Sequence, residues 1–426
     1  MVALRSRREQ LDEVSSPLKE VTVTDPQIRV GIDVGCKAHR VGIANTKGQL
    51  LEEFDISHTD AGFQEFFRRI EEHKEKLNLP VAVAMEGFNG YARPLDRLIQ
   101  ERGYTLYNVN NLKLARFKEV FPGAAKTDPI DTRKILELFH LKDHLPLAKD
   151  ALQEVVSTPP VNDKLKRLSR RRRQLVNDKV RVVNRIQSDL QAVCPELLAI
   201  TNKLSNLWFL RFLTCRDDLT QLARLQRSTV LKVHGIGQKY ASIIQQWQRK
   251  GSFSSEAEYV GPMIIEDAKR ILELLSQIHI LDEALAELAD RSELACRIAS
   301  IGGFGKTCVA ELAGEIGTTE RFTGEASLAL YVGMSPLSKD SGQHHGSKCP
   351  RQVNHRAKGA MMTAVARHIN FVPESRVYYD RKRAEGKKHN QAVRALGRHL
   401  VRVIWSMVKN ERDYELRTPG GDTNVT

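Results

Sequence analysis

IRVGIDVG (residues 28–35) is a short apolar run rich in β-branched residues, which suits a strand. AHRVGIANTKG (38–48) and QLLEEFDISHT (49–59) follow it, and the three together predict three strands with Asn45 to Gly48 as a hairpin turn. Thr59 or Asp60 then caps a helix that carries Phe63, Phe66, Phe67 and Ile70 on one face. VAVAM (81–85) is apolar throughout, as expected of a fourth strand buried on both faces. Residues 91–102 predict another helix and YTLYNV (104–109) another strand. That order is an α/β pattern with a mixed sheet. Residues 1–27 lack periodicity and read as a flexible tail ending at Asp25-Pro26.

The chain has 426 residues, 41% of them hydrophobic and 28% charged, enough for two or three globular domains. It has no apolar run long enough to span a bilayer, and Met1 to Lys19 has no apolar core of a secretory signal. None of the six cysteines forms a C-x-x-C pair, which argues against a zinc knuckle or disulfide framework and for a reducing cytosol. The formal net charge is +14. Residues 1–150 carry 23 basic and 23 acidic side chains, so the whole excess falls in 151–426. KLKRLSRRRR (164–173) holds seven basic side chains, and residues 351–403 hold thirteen against three acidic. A basic region beside a neutral one suits a polyanion-binding part next to a separately working part; a solvated charged surface is the alternative.

Ser157-Thr158-Pro159-Pro160 is the clearest linker. Beyond it, residues 162–194 predict one long helix with Leu165, Leu168, Leu175, Val182, Ile186 and Leu190 near heptad spacing. A second is expected over 265–298, and the pair suggests an antiparallel coiled-coil arm, within one chain or between subunits, or two ordinary bundle helices. VHGIGQKYASII (233–244) and IGGFGKTCVAEL (301–312) form a weak repeat, each with a Gly-apolar-Gly turn (Gly235 and Gly237; Gly303 and Gly305) before a helix. Such a turn presents amides and a positive dipole end to phosphate, as helix-hairpin-helix elements do, with Lys306 adjoining the second; a tight packing turn is the alternative.

Four carboxylates stand at informative places. Asp33 ends the first strand, Glu86 follows the fourth, and Asp128 and Asp131 lie in KTDPID at the start of the next helix, on one face. Gathered at a sheet edge they would repel unless they held divalent cations, and two Mg²⁺ ions about 4 Å apart could drive phosphodiester cleavage. Hard oxygen ligands suit Mg²⁺ or Mn²⁺ rather than zinc. Taken singly, Asp128 before Pro129 is also an ordinary N-cap, Asp131 complements the helix dipole, and Asp33 could be a turn residue. The set, in that order, is the layout of a ribonuclease-H-like nuclease. In the second half, within LYVGMSPLSKDSGQHHG (330–346), Gly333 to Gly346 reads as a polar, flexible loop after a helix ending near Tyr331, and its Ser341 could be a nucleophile, with Ser335, Ser338 and Ser347 as competitors. His344, His345 and Cys349 lack a fourth ligand and make a poor zinc site.

Together these features resemble the DEDD transposases of bacterial insertion sequences, the bridge-RNA-guided recombinases. The likeness covers about residues 28–415 and rests on GIDVG, MEGFNGYARPL (85–95), YNVNNLK (107–113), KTDPID, IGGFGKT, FTGEASLALYVGMSP (322–336) with DSG (340–342), and YYDRKRAEGK (378–387). It implies a RuvC-like, RNase H-like domain over 28–150. A mainly helical region with long coiled-coil helices would follow over 160–298, then a helix-hairpin-helix-like C-terminal transposase domain over 299–415 and a tail at 416–426. It implies that Asp33, Glu86, Asp128 and Asp131 bind Mg²⁺ and that Ser341 becomes joined to a DNA 5′ end. The family assembles as a dimer and then a tetramer on donor and target DNA, with the carboxylates of one subunit beside the serine of another. A structured bridge RNA pairs with both DNAs, in the bacterial cytoplasm at the nucleoid. Lys348, Arg351 and Arg356 could contact phosphates, but the stretch after Ser341 follows the family only loosely. A hydrolytic RuvC-like nuclease acting on branched DNA, with Ser341 incidental, is the second reading; a non-catalytic nucleic-acid-binding protein is the third.

Overall fold

The computed structural model describes residues 27–86, 94–109, 114, 128–144, 151–341, 344–348, 350 and 353–416, the side chains of 128–130, 338–341 and 344–348 excepted. The chain divides into two compact units, the first ending at Ser157 and the second starting at Thr158.

The first unit is a six-stranded mixed sheet with helices. Strands β1 (Ile28–Val34), β2 (Ala38–Ala44) and β3 (Leu50–Ser57) form an antiparallel meander. Its first turn closes on Asn45, whose side-chain oxygen accepts from the amides of Lys47 and Gln49. Helix α1 (Asp60–Leu77) is capped by Thr59, whose hydroxyl accepts from the Gly62 amide. Strand β4 (Val81–Glu86) lies parallel to β1, helix α2 (Leu95–Glu101) follows, and β5 (Thr105–Val109) lies parallel to β4. After α3 (Asp128–His144) comes β6 (Leu152–Glu154), antiparallel to β5, so the sheet order is 3-2-1-4-5-6. This arrangement is consistent with the RNase H-like start expected from the sequence. Two details differ. Helix α2 is shorter than 91–102, of which 91–93 lie outside the described residues. The three-residue edge strand β6 carries too little pattern to be read from sequence.

Strand alternation sorts the two faces of the sheet. Ile28, Val30, Ile32, Val81, Val83 and Met85 point to one side, against Phe63, Phe66, Phe67 and Ile70 of α1 and Leu95 and Ile99 of α2. Gly31, Ala82 and Ala84 lie on the other, where Ile135, Leu138 and Phe139 of α3 pack. These small residues let α3 sit close to the sheet. A Cβ on Gly31 would stand 3.1 Å from the Thr132 carbonyl oxygen, and one on Gly42 2.9 Å from Thr132 Cγ2.

The second unit is mostly helical. Its axis is α4 (Pro160–Val193), which starts on Pro160 as a favourable first-turn proline. Helices α5 (Leu207–Leu213), α6 (Arg227–Lys232) and α7 (Gln238–Lys250) follow, then the second long helix α8 (Ala257–Ala289). The long helices pack antiparallel within the chain: Arg172 pairs with Asp282 and, further along α4, Arg185 pairs with Asp267 nearer the start of α8. The observed α8 starts earlier than 265, because Pro262 in its second turn does not stop it, and it ends at Ala289. Ser292 then caps a separate helix α9 (Glu293–Ala299), its hydroxyl accepting from the Ala295 amide. The chain continues through α10 (Lys306–Ile316) and α11 (Glu325–Tyr331). Strands β7 (Leu337–Ser341) and β8 (His344–Lys348) come next, then α12 (His355–His368), α13 (Pro373–Ala384) and α14 (His389–Lys409). One core joins Leu175, Val182, Ile186 and Leu190 of α4 to Ile264, Ile271 and Leu274 of α8 and to Phe209 and Phe212 of α5. A second joins Leu165 and Leu285 to α10, α12 and α14. No helix among the described residues is long and apolar enough to cross a membrane.

Candidate active site

Asp33 and Glu86 end neighbouring parallel strands. The pairing of β1 with β4 runs to Ile32 opposite Met85, so Asp33 and Glu86 are the next residues of that register. Alternation puts Asp33 on the side of Gly31, and Glu86 on the side of Ala82 and Ala84, the α3 face in both cases. Helix α3 runs antiparallel to β1. Arg29 Nη2 meets Asp143 Oδ2 of its last turn at 2.7 Å, and Gly31 faces Thr132, Ile135 and Leu136 further back. Its first turn therefore lies toward the edge where β1 and β4 end. That turn carries Asp131, which is buried, and begins at Asp128, whose carboxylate lies outside the described side chains. Among the described residues, no three His, Cys, Asp or Glu side chains stand close enough to hold a metal ion. Carboxylate oxygens are hard donors of the kind that suits Mg²⁺ or Mn²⁺.

Residues that carried no sequence signal secure this edge. Arg40 lies opposite Asp33 in the β1–β2 register. Its guanidinium donates to Asp55 at 3.1 Å and lies 3.5 Å from Glu53. Arg133, in the first turns of α3, donates to both oxygens of Glu53 at 2.6 and 2.9 Å. The Arg133 hydrogen bond, outweighing the effect of partial burial, holds the Glu53 carboxyl below its usual range. This chain of charges ties the start of α3 to β2 and β3.

Ser341 is placed differently from the sequence expectation. The segment read as a flexible loop forms most of a two-stranded hairpin that runs on to Lys348, with Leu337 opposite Lys348 and Ser341 opposite His344. The backbone hydrogen bonds of a hairpin need no apolar alternation, so polar residues concealed it. Ser341 is the last residue of β7; Gly342, Gln343, Cys349 and Arg351 lie outside the described residues, as do the side chains of Ser341, His344, His345, Ser347 and Lys348.

The two glycine turns share one geometry. Gly235 and Gly303 have φ of +91° and +84°, which L residues rarely adopt. In each, the following residue's amide closes the turn: Ile236 donates to Val233 and Phe304 to Ile301. Gly237 and Gly305 then precede α7 and α10, and Lys306 is the exposed first residue of α10. Their surroundings differ. A Cβ on Gly235 would stand 3.3 Å from Trp208 Cβ and one on Gly303 2.7 Å from His368 Cα, so both are packing turns and the second is the tighter, while Gly237 has open space beside it. His368 is fully buried and hydrogen-bonds the Gly302 carbonyl through Nδ1 and Ser375 through Nε2.

The basic run 164–173 is divided by its partners. Arg170 donates to both oxygens of fully buried Glu315 at 2.7 and 2.8 Å, Arg173 reaches Glu311 at 2.6 Å, and Arg172 pairs with Asp282. These three hold helices together instead of awaiting a polyanion. Lys164, Arg167 and Arg171 are exposed, and steps of three and four place them on one stripe of α4. Arg356 is exposed in the first turn of α12. The described cysteines are all free thiols.

Comparison with known proteins gives two family matches. A transposase family model matches residues 30–195, and the model of the IS116/IS110/IS902 transposase family matches residues 295–380. The 44.8 kDa protein of insertion element IS116 in Streptomyces clavuligerus is 25% identical over 406 residues, covering 91% of this chain and 96% of its own. The 43.6 kDa protein of insertion element IS110 in Streptomyces coelicolor is 24% identical over 408 residues, covering 93% and 98%. The 42 kDa protein of insertion element IS900 in Mycobacterium paratuberculosis is 25% identical over 396 residues, covering 91% and 97%.

Proposed function

This chain belongs to the IS116/IS110/IS902 transposase family, and from that premise we propose that it cuts and rejoins the DNA of an insertion element through four carboxylates and a serine. What carries the reading is the convergence of the ends of β1 and β4 and the start of α3 at one sheet edge, in a chain that matches both family models. Asp33, Glu86, Asp128 and Asp131 would hold Mg²⁺, or Mn²⁺ in its place. When bound, the ion supplies Lewis-acid stabilisation of the attacking and leaving oxygens. Ser341 Oγ attacks the scissile phosphorus, and its proton passes to water. The bond from phosphorus to the 3′-oxygen breaks, that oxygen leaves as a hydroxyl after taking up a proton, and the 5′ phosphate remains on the serine. Attack by the 3′-hydroxyl of another strand reverses these changes and frees the serine. The ester conserves the phosphodiester bond energy, so rejoining needs no nucleotide, and the sequence has no G-x-x-x-x-G-K-[ST] loop.

In this proposal the protein acts in the cytoplasm as a dimer that pairs into a tetramer on donor and target DNA, with the carboxylates of one subunit serving the serine of another. A structured bridge RNA pairs with both DNAs, so base pairing reads the sequence while the protein engages backbone and shape. The amides at Gly235, Gly237, Gly303 and Gly305, with Lys306, Arg351 and Arg356, would contact phosphate.

The test uses full-length protein purified with its co-purifying RNA, labelled donor DNA and Mg²⁺. Wild-type protein should form a covalent protein–DNA adduct and rejoin strands. Ser341→Ala should form neither, and Asp33→Asn should abolish cutting. Metal-dependent cutting of branched DNA without any adduct, unchanged in Ser341→Ala, would replace this reading with the hydrolytic nuclease. Sequencing of the bound RNA should give one discrete structured species; random RNA overturns the guide.

A further inference from the structure

The segment that carries Ser341 follows α11, which ends at Tyr331, and leads into α12, which Asn354 caps, and these two residues meet. The Asn354 amide donates to the Tyr331 carbonyl oxygen at 2.8 Å. The Asn354 side-chain amide donates one hydrogen to the Tyr331 hydroxyl and the other to Glu315 Oε2, each at 2.7 Å. The Tyr331 hydroxyl in turn donates to the Glu315 carbonyl oxygen at 2.8 Å. Asn354 Oδ1 accepts from the amides of Arg356 and Ala357, which caps α12. Every polar atom of the Asn354 side chain thus has its partner, and the ring hydroxyl both donates and accepts.

Glu315 is the fixed point of the cluster. It is fully buried on α10, and Arg170 of α4 holds both its oxygens. Burial pushes its carboxyl up, but hydrogen bonds from Arg170 and Asn354 outweigh that and keep it ionised below the usual range. A buried carboxylate with bidentate and amide donors has one geometry, so whatever it binds is held in place. On the outgoing side, Val332 and Met334 are buried in the same core, and the Met334 amide donates to the Ala329 carbonyl.

We propose that Glu315, Asn354 and Tyr331 are positioning residues that tie together the two ends of the segment carrying the β7–β8 hairpin and thereby hold Ser341 at a set place for attack. The inference rests on the reading of Ser341 as nucleophile. They act on the chain and not on the reacting atoms, by denying the hairpin freedom to pivot about its two ends.

Full-length Tyr331→Phe keeps the ring and removes the hydroxyl. Asn354→Ser keeps a capping oxygen and removes the amide donors. Asn354→Asp keeps an equally good cap but sets a carboxylate against Glu315. Hydrogen exchange of the 337–341 and 344–348 amides should accelerate about tenfold in Tyr331→Phe and Asn354→Ser, while the amides of α8 keep wild-type rates. The rate of adduct formation at saturating DNA should fall by about tenfold, with the half-saturating DNA concentration within about twofold of wild type. Asn354→Asp should be worse than Asn354→Ser; if Asn354 only capped α12, the aspartate would be silent. Unchanged exchange in the hairpin, faster exchange with an undiminished adduct rate, or a silent Asn354→Asp each overturns the proposal. A wild-type protein that forms no adduct defeats the serine reading instead, and the exchange measurement still decides whether these side chains hold the hairpin.

Discussion

His39 sits on β2 with no exposed surface, its Nε2 hydrogen-bonded to His58 Nδ1 at 2.8 Å and its ring parallel to that of Phe63. Burial, and after it the neighbouring His58, push its pKa from 6.5 down to about 4. Between those values the unfolded chain binds a proton that the folded protein refuses. Stability from this residue is therefore complete above pH 6.5 and lost as pH falls toward 4, by at most about 3 kcal/mol. Denaturant midpoints at pH 7.5, 5.5 and 4.5 measure it. His39→Leu should be the less pH-sensitive protein over that window, and an equal slope in both would remove His39 as the cause. Nothing in the sequence marks His39 for this role: its neutrality comes from what α1 and β3 lay over it, not from its neighbours in the chain.

Helix α3 sits close to the sheet because Gly31, Gly42, Ala82 and Ala84 line the face beneath it. Gly31→Val places branched methyls where the Thr132 carbonyl, Ile135 and Leu136 already stand. It should cost about 1–3 kcal/mol and shift the first turn of α3, with Asp131, away from the end of β1. Denaturant unfolding gives the stability loss. Cleavage measured where the variant is fully folded should still fall, and normal cleavage there would mean that α3 tolerates the shift. Strands β1 to β5 and helix α1 were legible, because alternation, capping and turn chemistry are local. Besides the short edge strand β6, three things were not. The hairpin around Ser341 is held by backbone bonds that polar side chains do not advertise. Pro262 looks like a helix boundary but lies early enough in α8 to be absorbed. A run of arginines gives its charge but not its partners, so Arg170, Arg172 and Arg173 looked the same as Lys164, Arg167 and Arg171. The two groups should separate on substitution. Arg170→Ala leaves Glu315 buried without its bidentate cation and should cost about 3 kcal/mol or more by thermal or chemical unfolding. Changing Lys164, Arg167 and Arg171 together to alanine should leave stability nearly intact. If all three meet phosphates, it should lower the slope of log affinity for DNA against log salt by about 2–3. The opposite pattern would reverse the assignment of the run.

At the scale of the whole chain, charge and architecture divide at nearly the same place. Residues 1–150 are balanced, residues 151–426 carry 43 basic against 29 acidic side chains, and the compact units part at Ser157–Thr158. Both hydrophobic cores of the second unit close on residues beyond 158, through Leu165, Leu175, Leu190, Ile271 and Leu285 of its two long helices. A polypeptide of residues 158–416 should therefore fold alone, with the circular dichroism of a helical protein and one cooperative transition. Backbone-directed affinity scales with the phosphates neutralised, and the surplus cations lie in this unit. The isolated unit should keep the salt dependence of duplex binding seen in the full chain to within about one unit of slope, while residues 28–157 alone bind far more weakly. Titrations of both polypeptides and the full chain from 50 to 300 mM salt (roughly the range in which such slopes are resolved) decide it. Loss of most of the slope in 158–416 would mean that the balanced first unit supplies the phosphate contacts. The main phosphate grip would then lie in the unit that carries Asp33, Glu86, Asp128 and Asp131.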